Sequence, residues 1–296
     1  MKPIDLASFG KPWEHVRLLS DSARNTAMLQ VMARHCPGNR VLEVGCGTGL
    51  LSVIAAKMGA TKVYAVEPTA VVNQARELVA RNGLEGIVEV HEALIEDLEP
   101  REVDFAFSEL LNADPFAEGV MEAMFHAKRW VVPGGSMTPK RLKVFAGLVR
   151  EADSAWEVKT ARKQVASFAK RYELDLSTLD GVLAEPGSYT YVHHVRDLIG
   201  PAVCLWDLIP GEDEAPEDPM EVSLVADEAG PVGGVAVWFE ATMDDGILMH
   251  NRPGKDSHWG QLVSGWPHEH GVTEGERVWI QANVDEDGMV VDRLDR

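Results

Sequence analysis

The chain has 296 residues, of which 45% are hydrophobic and 25% charged, a composition typical of a soluble globular protein. Its formal net charge of −19 argues against a general phosphate-binding surface, so we expect no nucleic-acid partner; an acidic surface attracts cationic ligands instead. Cys36, Cys46 and Cys204 lack the spacing of a disulfide framework or a zinc site. Without a signal-peptide pattern or an apolar run long enough to span a membrane, we expect a cytoplasmic protein with no membrane partner.

The first half of the chain alternates between predicted helices and predicted strands. An amphipathic helix over 18–35 comes first, and the last element is a helix followed by a turn over 119–135. Between them, strands are predicted at 40–44, 62–67, 87–94 and 103–109, with helices at 50–59 and 70–83. Strands that alternate with helices predict an α/β fold with a parallel sheet built by right-handed crossovers.

The pattern changes after about residue 138. Short apolar runs separated by turn residues predict an antiparallel β domain, with strands at 141–149, 235–243, 260–266 and 277–284. Within it, the acidic and proline-rich segment 209–220 predicts an exposed loop or arm. We therefore predict two domains, 1–137 and 138–296.

A glycine turn follows the first predicted strand. Gly45, Gly47 and Gly49 would let the backbone approach a ligand closely, and Glu43 precedes them. A dinucleotide fingerprint expects glycine at the position of Leu50, so a nicotinamide cofactor is the weaker alternative, as is a tight turn without a ligand. The turn is similar to motif I of class I S-adenosylmethionine (SAM) methyltransferases. Glu67 closes the next strand, where a carboxylate can accept both ribose hydroxyls.

Two glutamates frame the loop after the fourth predicted strand. Glu109 ends that strand on the ligand-binding edge of the sheet, and Glu118 follows nine residues later. Two carboxylates in one pocket resist ionisation unless a cation lies between them, and a planar guanidinium is a natural guest. The alternative is that Glu118 only begins a helix, where acidic residues are favoured by the dipole.

Taken together, residues 41–67 and the segment SELLNADPFAE at 108–118 resemble the protein arginine N-methyltransferases. The resemblance implies a SAM-dependent enzyme that methylates the guanidino group of arginine in a protein or peptide. It also implies a Rossmann-like seven-stranded domain followed by an antiparallel β-barrel-like domain. Family members dimerise through an arm inserted in the β domain, so we expect a homodimer with its arm near 170–220.

The resemblance also implies roles for individual residues. We expect Arg24 on the SAM carboxylate, Glu67 on the ribose and Glu96, after the third strand, on the adenine amino group. SHWGQ at 257–261 is similar to the family's Thr-His-Trp loop. At the cofactor we also expect His15, Glu43 and the three glycines. We expect His258 to pair with Asp21, as an orienting or proton-relay pair. At the substrate we expect Trp259 together with Glu109 and Glu118. The alternative is that His258 is a structural residue of the β domain, with its hydrogen bonds made to nearby residues.

Some features leave the substrate open. The Trp-Met-Gly-Tyr common in the family after the first glutamate is replaced here by Leu110-Leu111-Asn112-Ala113. Free arginine or another small guanidino metabolite is therefore an alternative substrate, and a non-catalytic SAM-binding regulatory module is an alternative function. The histidine pairs in VHHV (His193 and His194) and in PHEH at 267–270 have no carboxylates placed to complete a metal site, so we expect no metal.

Overall fold

The computed structural model describes residues 18–150, 153–179, 189–255, 257–285 and 288–294. His15 lies outside these ranges, so its predicted role stays a prediction. The chain divides into two compact units, and the boundaries do not follow the chain order. The first unit holds the residues up to Lys143 together with Asp207–Ala215 and Glu240–His250, and the second holds Val144–Trp206, Pro216–Phe239 and Asn251–Arg296.

The first unit is built on a parallel sheet with the strand order β3-β2-β1-β4-β5. Its strands are β1 (Arg40–Val44), β2 (Lys62–Val66), β3 (Val88–His91), β4 (Val103–Ser108) and β5 (Val131–Thr138). The helices between them are α1 (Ser22–His35), α2 (Leu50–Lys57), α3 (Val72–Arg81) and α4 (Val120–Ala127), with 3₁₀ turns at Ile95–Asp97 and Lys128–Trp130. The predicted α/β fold is confirmed.

The parallel sheet has five strands within the described residues, whereas the resemblance implied seven. After β5 the chain passes directly into β6 (Arg141–Val149), which belongs to an antiparallel sheet, so this stretch contributes no further parallel strands. Every neighbouring pair in the five-stranded sheet is parallel.

The prediction of a turn after α4 was wrong. Pro133 and Gly134 lie inside β5, and the register with β4 shifts between the pairs Val103–Val131 and Phe105–Ser136. β5 is an edge strand of this sheet, where a proline that lacks an N–H group is tolerated at a bulge. The turn residues therefore bulge out of the strand without ending it.

The central strands are apolar on both faces, as parallel sheets covered by helices require. Val41 and Leu42 in β1, and Phe105 and Phe107 in β4, are completely buried. The rings of Phe105 and Phe107 stack with their centroids 5.6 Å apart. This packing holds β1 and β4 at the centre of the sheet.

The register of the sheet sets three strand ends level with one another. Val44 pairs with both Val66 and Ser108, so Gly45, Glu67 and Glu109 each begin the segment just beyond an aligned strand end. The strand order also reverses direction between β1 and β4. In open α/β sheets, ligands bind in the crevice outside the carboxyl ends of the strands at such a switch point.

The remaining strands form two antiparallel sheets, with the orders β7-β12-β10-β6-β8 and β14-β13-β9; β11 pairs with β10. All four β runs predicted after residue 138 are strands. Besides β6, the strands are β7 (Tyr189–His193), β8 (Val203–Leu208), β9 (Met220–Val225), β10 (Gly230–Asp244), β11 (Ile247–His250), β12 (Gln261–Val272), β13 (Arg277–Asp285) and β14 (Gly288–Leu294).

One long helix was not predicted from the sequence. α5 (Asp153–Tyr172) interrupts the antiparallel strands and is followed by a 3₁₀ turn at Ser177–Leu179. Its sequence is rich in Ala, Lys and Arg, all favourable in helices, and this propensity prevails over the β pattern on either side. The predicted acidic loop at 209–220 is largely exposed and irregular, with a single bridge between Pro210 and Asp213.

The C-terminal end of α1 is held by a buried carboxylate. Asp244 accepts hydrogen bonds from Arg34 Nη1 at 2.9 Å and from His35 Nε2 at 3.1 Å, and it is also ion-paired with Lys140. Burial alone would raise the pKa of Asp244, but the bonds from Lys140, Arg34 and His35 hold it below its usual range. These contacts fix α1, whose other end carries Asp21 and Arg24.

No helix in the described part of the chain is both long enough and apolar enough to cross a lipid bilayer.

Candidate active site

The glycine turn after β1 is shaped by hydrogen bonds to the neighbouring strand. The N–H groups of Gly45 and Cys46 both donate to the carbonyl of Val66, at 2.9 and 3.0 Å. Gly49 has φ of +77° where α2 begins, and a Cβ atom there would lie 2.8 Å from that of Ala75. The positive φ and the close approach both require glycine at this position.

Glu67 holds the glycine turn from the end of β2. Its Oε2 accepts from the N–H of Gly47 at 2.9 Å, and its Oε1 accepts from the N–H and the hydroxyl of Thr69 at 2.9 and 2.6 Å. Only 7% of the side chain is exposed. A carboxylate has about four acceptor positions, so these three contacts fix the orientation of Glu67 and leave about one position for a further donor.

Glu43 lies beneath the turn in the middle of the sheet. It is buried and accepts a short hydrogen bond from the hydroxyl of Ser52 in α2. Burial raises the pKa of Glu43 to about 8, although the bond from Ser52 and the charge of Arg24 act in the opposite direction. At neutral pH this group is therefore mainly a neutral acid inside the sheet.

Replacing Glu43 by Gln is expected to stabilise the protein, and the gain should grow with pH. The folded protein holds the Glu43 proton more tightly than the unfolded chain, so this group favours folding below pH ~4.5 and loses that contribution as pH rises towards 8. Gln mimics the neutral acid and does not titrate. Urea unfolding should show the advantage of Glu43→Gln increasing by on the order of 3 kcal/mol between pH 5 and pH 8. The exposed Glu85→Gln serves as the control, and a pH-independent difference would contradict the assignment.

Cys46, inside the turn, is not a nucleophile. Desolvation by burial, followed by the carboxyl groups of Glu43 and Glu67, holds the pKa of its thiol well above the ordinary value. Nucleophilic cysteines react as thiolates, which this environment disfavours. The chemistry of the site therefore rests on its carboxylates.

Arg24 and Glu109 form a buried ion pair between α1 and the end of β4. The Nε and Nη2 atoms of Arg24 both donate to Oε2 of Glu109, and the side chains are only 6% and 7% exposed. Asp21 caps α1 by accepting from the backbone N–H of Arg24 at 2.9 Å. In this structure the guanidinium of Arg24 thus lies against the first glutamate of the predicted pair.

The second glutamate, Glu118, is held by a different kind of partner. Its Oε1 accepts from Nδ2 of Asn112 at 2.9 Å. Burial, followed by the negative charge of Glu109, raises the pKa of Glu118 to about 8, and the bond from Asn112 acts in the opposite direction. The two carboxylates therefore influence one another, as expected of two anions that face one site.

The structure brings several of the predicted site residues together at the aligned strand ends. The glycine turn and Glu67 adjoin through the Gly47 hydrogen bond, and Arg24 contacts Glu109, whose charge influences Glu118. Glu96 lies in the 3₁₀ turn Ile95–Asp97, where its carbonyl accepts from Arg129 at 3.5 Å. The predicted ligands of each of these residues stay predictions.

His258 and Trp259 lie in the second unit, in a loop that is tightly anchored. Trp259 is buried, and its ring meets that of Phe239 edge to face with the centroids 5.1 Å apart. Asn251 Nδ2 donates to the carbonyl of Gly260 at 2.6 Å, and Gln261 Nε2 donates to the carbonyl of Asn251 at the same distance. The loop is thus built to hold one conformation. The pairing of His258 with Asp21 and the substrate role of Trp259 stay predictions.

Sequence reasoning assigned no role to three residues that support the carboxylates. Thr69 fixes Glu67, Ser52 binds Glu43, and Asn112 binds Glu118. Thr69 lies two residues after Glu67, a spacing at which local side-chain to backbone bonds are common, so a turn at this position was detectable. Nothing in the sequence indicates the other two contacts.

Among the described residues, no group of three or more His, Cys, Asp or Glu side chains is arranged to hold a metal ion.

The sequence and the fold were compared with those of known proteins. The family model of the ribosomal protein L11 methyltransferases (PrmA) matches residues 26–165. The arginine N(omega)-methyltransferase of Streptomyces achromogenes subsp. streptozoticus is 30% identical over 269 residues, which cover 86% of this chain and 70% of that protein. The protein arginine N-methyltransferase PRMT10 of Arabidopsis thaliana is 36% identical over 138 residues, which cover 45% of this chain and 36% of that protein.

Solved structures with the same fold cover nearly the whole chain. The structure of Arabidopsis thaliana protein arginine methyltransferase 10 aligns with a TM-score of 0.83 at 23% identity, over 97% of this chain and 93% of that one. A Trypanosoma brucei PRMT1 enzyme–prozyme heterotetrameric complex with AdoHcy aligns with a TM-score of 0.77 at 23% identity, over 93% and 89%. The similarity to these two structures concerns the fold.

Proposed function

The chain belongs to the arginine N-methyltransferase family and uses S-adenosylmethionine to methylate arginine, and we propose that Glu109 and Glu118 bind the guanidinium that is methylated. The observation that carries the proposal is the arrangement of these two residues, here called the glutamate pair. They bracket one loop at the switch point of the sheet, and the charge of Glu109 raises the pKa of Glu118. We propose a protein or peptide as the substrate.

The residues at the aligned strand ends suit S-adenosylmethionine. Gly45, Gly47 and Gly49 all adopt positive φ, which lets the turn backbone come close to a ligand. Glu67 lies beside that turn with its carboxylate fixed, as a ribose acceptor requires. Arg24, whose guanidinium lies at the glutamate pair, would hold the carboxylate of the cofactor, and its bond to Glu109 would place it between the two ligands.

The glutamate pair would control the charge and the orientation of the substrate. A guanidinium is a poor nucleophile because its lone pairs are delocalised and its pKa is above ~12. Carboxylates bound to two of its nitrogens would draw positive charge towards them and leave the third nitrogen aimed at the transferred group. S-adenosylmethionine supplies that group as an electrophilic methyl carbon.

Methylation of a guanidinium also requires that one N–H proton leave. Glu118 is suited to accept this proton because burial and the charge of Glu109 place its pKa near 8. Glu109, paired with Arg24, would hold the substrate while the proton moves. Glu109 would thus hold the substrate, and Glu118 would accept its proton.

Free arginine is a second candidate substrate. One relative, which covers 86% of this chain, is named an arginine N(omega)-methyltransferase, a name that specifies no protein. Either substrate would present the same guanidinium to the same glutamate pair. Free arginine and an arginine residue in a protein differ only in the groups attached to the rest of the arginine.

A direct comparison of substrates separates these candidates. The purified protein is incubated with S-adenosylmethionine and either L-arginine, an arginine-rich peptide or the same peptide with lysine in place of arginine. Mass spectrometry should find methyl groups on the arginine peptide and none on the lysine peptide. Preferred methylation of L-arginine would contradict the proposal of a protein substrate and support the free amino acid as the substrate.

We also propose that the chain forms a homodimer through α5. Of the α5 side chains that the structure describes, only Val165 and Ala169 are half-buried and the others are exposed. Phe168 and Tyr172 are 55% and 52% exposed, with ring centroids 4.5 Å apart, and Leu174 follows at 49%. Exposed apolar clusters of this kind mark interaction sites. The exposed cations beside them would complement the acidic surface of a second copy, whose net charge is −19.

Introducing charge into this cluster should separate the two copies. Light scattering is expected to show a dimer for the unchanged protein and a monomer for the double variant Phe168→Asp with Tyr172→Asp, because carboxylates cannot be buried unpaired in an apolar interface. Leu248→Asp, at an exposed apolar position 42% accessible and outside α5, should remain dimeric. A monomeric unchanged protein at tens of micromolar would contradict the dimer. The cytoplasmic location stays a prediction.

A further inference from the structure

Asn112 occupies the loop between the two members of the glutamate pair. Its Nδ2 donates to Oε1 of Glu118 at 2.9 Å, and its Oδ1 accepts from the backbone N–H of Ala113 at 2.6 Å. The asparagine therefore ties the carboxylate of Glu118 to the backbone of the loop. All three residues lie in the first compact unit.

The two hydrogen bonds fix which way the amide of Asn112 faces. A flipped amide would set Oδ1 against the carboxylate of Glu118 and Nδ2 against the N–H of Ala113, and both contacts would be repulsive. Only the observed orientation gives each group a partner of the opposite kind. Asn112 is therefore held as a donor towards Glu118.

The partner of Glu118 differs from that of Glu109 in its charge. Glu109 is bound by the guanidinium of Arg24, whereas Glu118 is bound by a neutral amide. A neutral donor supports the ionised carboxylate without cancelling its charge or competing with an incoming cation. Glu118 is thus oriented by this contact, and its ionised form keeps a negative charge that is available to a guanidinium.

The charged groups that influence Glu118 come from three other elements. Burial has the largest effect on its pKa and raises it, and Glu109 at the end of β4 and Glu67 at the end of β2 raise it further. Arg24 of α1 and the bond from Asn112 lower it, and Asn112 has the larger effect of the two. A loss of the Asn112 donor would therefore shift the balance towards neutral Glu118.

We infer that Asn112 is a positioning residue for methyl transfer, one that orients the Glu118 carboxylate and favours its ionised form for binding the substrate guanidinium. The inference rests on the proposed role of the glutamate pair and adds a residue to it. Asn112 acts through Glu118 and has no assigned contact with the substrate itself.

Asn112→Asp is the sharpest test, because Asp keeps an oxygen for the N–H of Ala113 but replaces the donor by an anion. Asn112→Ala removes both contacts, and Asn82→Asp, at an exposed helix end, is the control. For each variant, kcat/KM is measured from pH 6 to pH 9.5 at saturating S-adenosylmethionine, with whichever of L-arginine and the arginine peptide the unchanged protein methylates. Isothermal titration of S-adenosylmethionine establishes that each variant is folded.

In Asn112→Asp, the rise of kcat/KM with pH should move upward by at least one pH unit, which lowers the value at pH 7 by roughly tenfold or more. Asn112→Ala should shift in the same direction by less, and the control should match the unchanged protein. An unshifted profile in Asn112→Asp overturns the inference, and so does a loss that is equal at every pH, since a purely structural role predicts that result. Glu118→Gln, measured alongside, separates a failure of the inference about Asn112 from a failure of the proposed role of the glutamate pair. Full activity of Glu118→Gln would refute the role of the glutamate pair itself.

Discussion

Glu109→Gln and Glu118→Gln are each expected to slow methyl transfer by at least about a hundredfold, the cost of removing one preorganised electrostatic contact. Gln keeps the size and the hydrogen-bonding reach of Glu but not its charge. A guanidinium beside the positively charged cofactor would then lack compensation, and Glu118→Gln would also lose the carboxylate that is proposed to take the leaving proton. Single-turnover rates at saturating S-adenosylmethionine measure this effect apart from product release.

The control for both variants is Glu85→Gln, which removes an exposed carboxylate that has no assigned role in the site. It should methylate at the normal rate. The affinity for S-adenosylmethionine should change little in Glu118→Gln, because Glu118 is not assigned to the cofactor, whereas Glu109→Gln also removes the charged partner of Arg24. Near-normal single-turnover rates in both would leave the guanidinium-binding role without support.

Glu67→Ala is expected to show the reverse pattern, with S-adenosylmethionine bound roughly a hundredfold more weakly and substantial turnover at saturating cofactor. The variant loses the ribose acceptor and also the carboxylate that holds the N–H of Gly47 and both groups of Thr69. The turn and the cofactor contact are therefore weakened together. Isothermal titration measures the change directly.

Two further variants serve as comparisons for the loss of cofactor affinity in Glu67→Ala. Thr69→Val removes only the hydroxyl bond to Glu67 and should weaken binding less than Glu67→Ala does. Glu92→Ala removes an exposed carboxylate just beyond the neighbouring strand β3 and should bind the cofactor normally. Equal affinity of Glu67→Ala and the unchanged protein would contradict the placement of the ribose.

The residues at the aligned strand ends were predictable because each follows an apolar run of the right length. Gly45, Glu67 and Glu109 all come directly after a buried strand, and parallel strands place their carboxyl ends at one edge. Periodicity and turn residues were therefore enough to place them together. The same reasoning found four of the antiparallel strands described after residue 138, namely β6, β10, β12 and β13.

Other features depend on tertiary contacts that no local pattern reports. The bond between Asn112 and Glu118 depends on how the loop folds back between two residues six positions apart, and the ion pair of Arg24 with Glu109 joins residues 85 positions apart. α5 was missed because β patterns on both sides outweighed its helical composition. The five-stranded sheet was missed because its strand count was taken from a resemblance and not from the residues.

The central claim is that the glutamate pair directs a methyl group to a guanidino nitrogen of arginine. Tandem mass spectrometry of the product, made with isotopically labelled S-adenosylmethionine by the unchanged protein and by Glu118→Gln, tests it most directly. We predict one or more labelled methyl groups on guanidino nitrogens of arginine with the unchanged protein, and almost none with the variant. Label on any other atom, or equal labelling of arginine by both proteins, would contradict the claim.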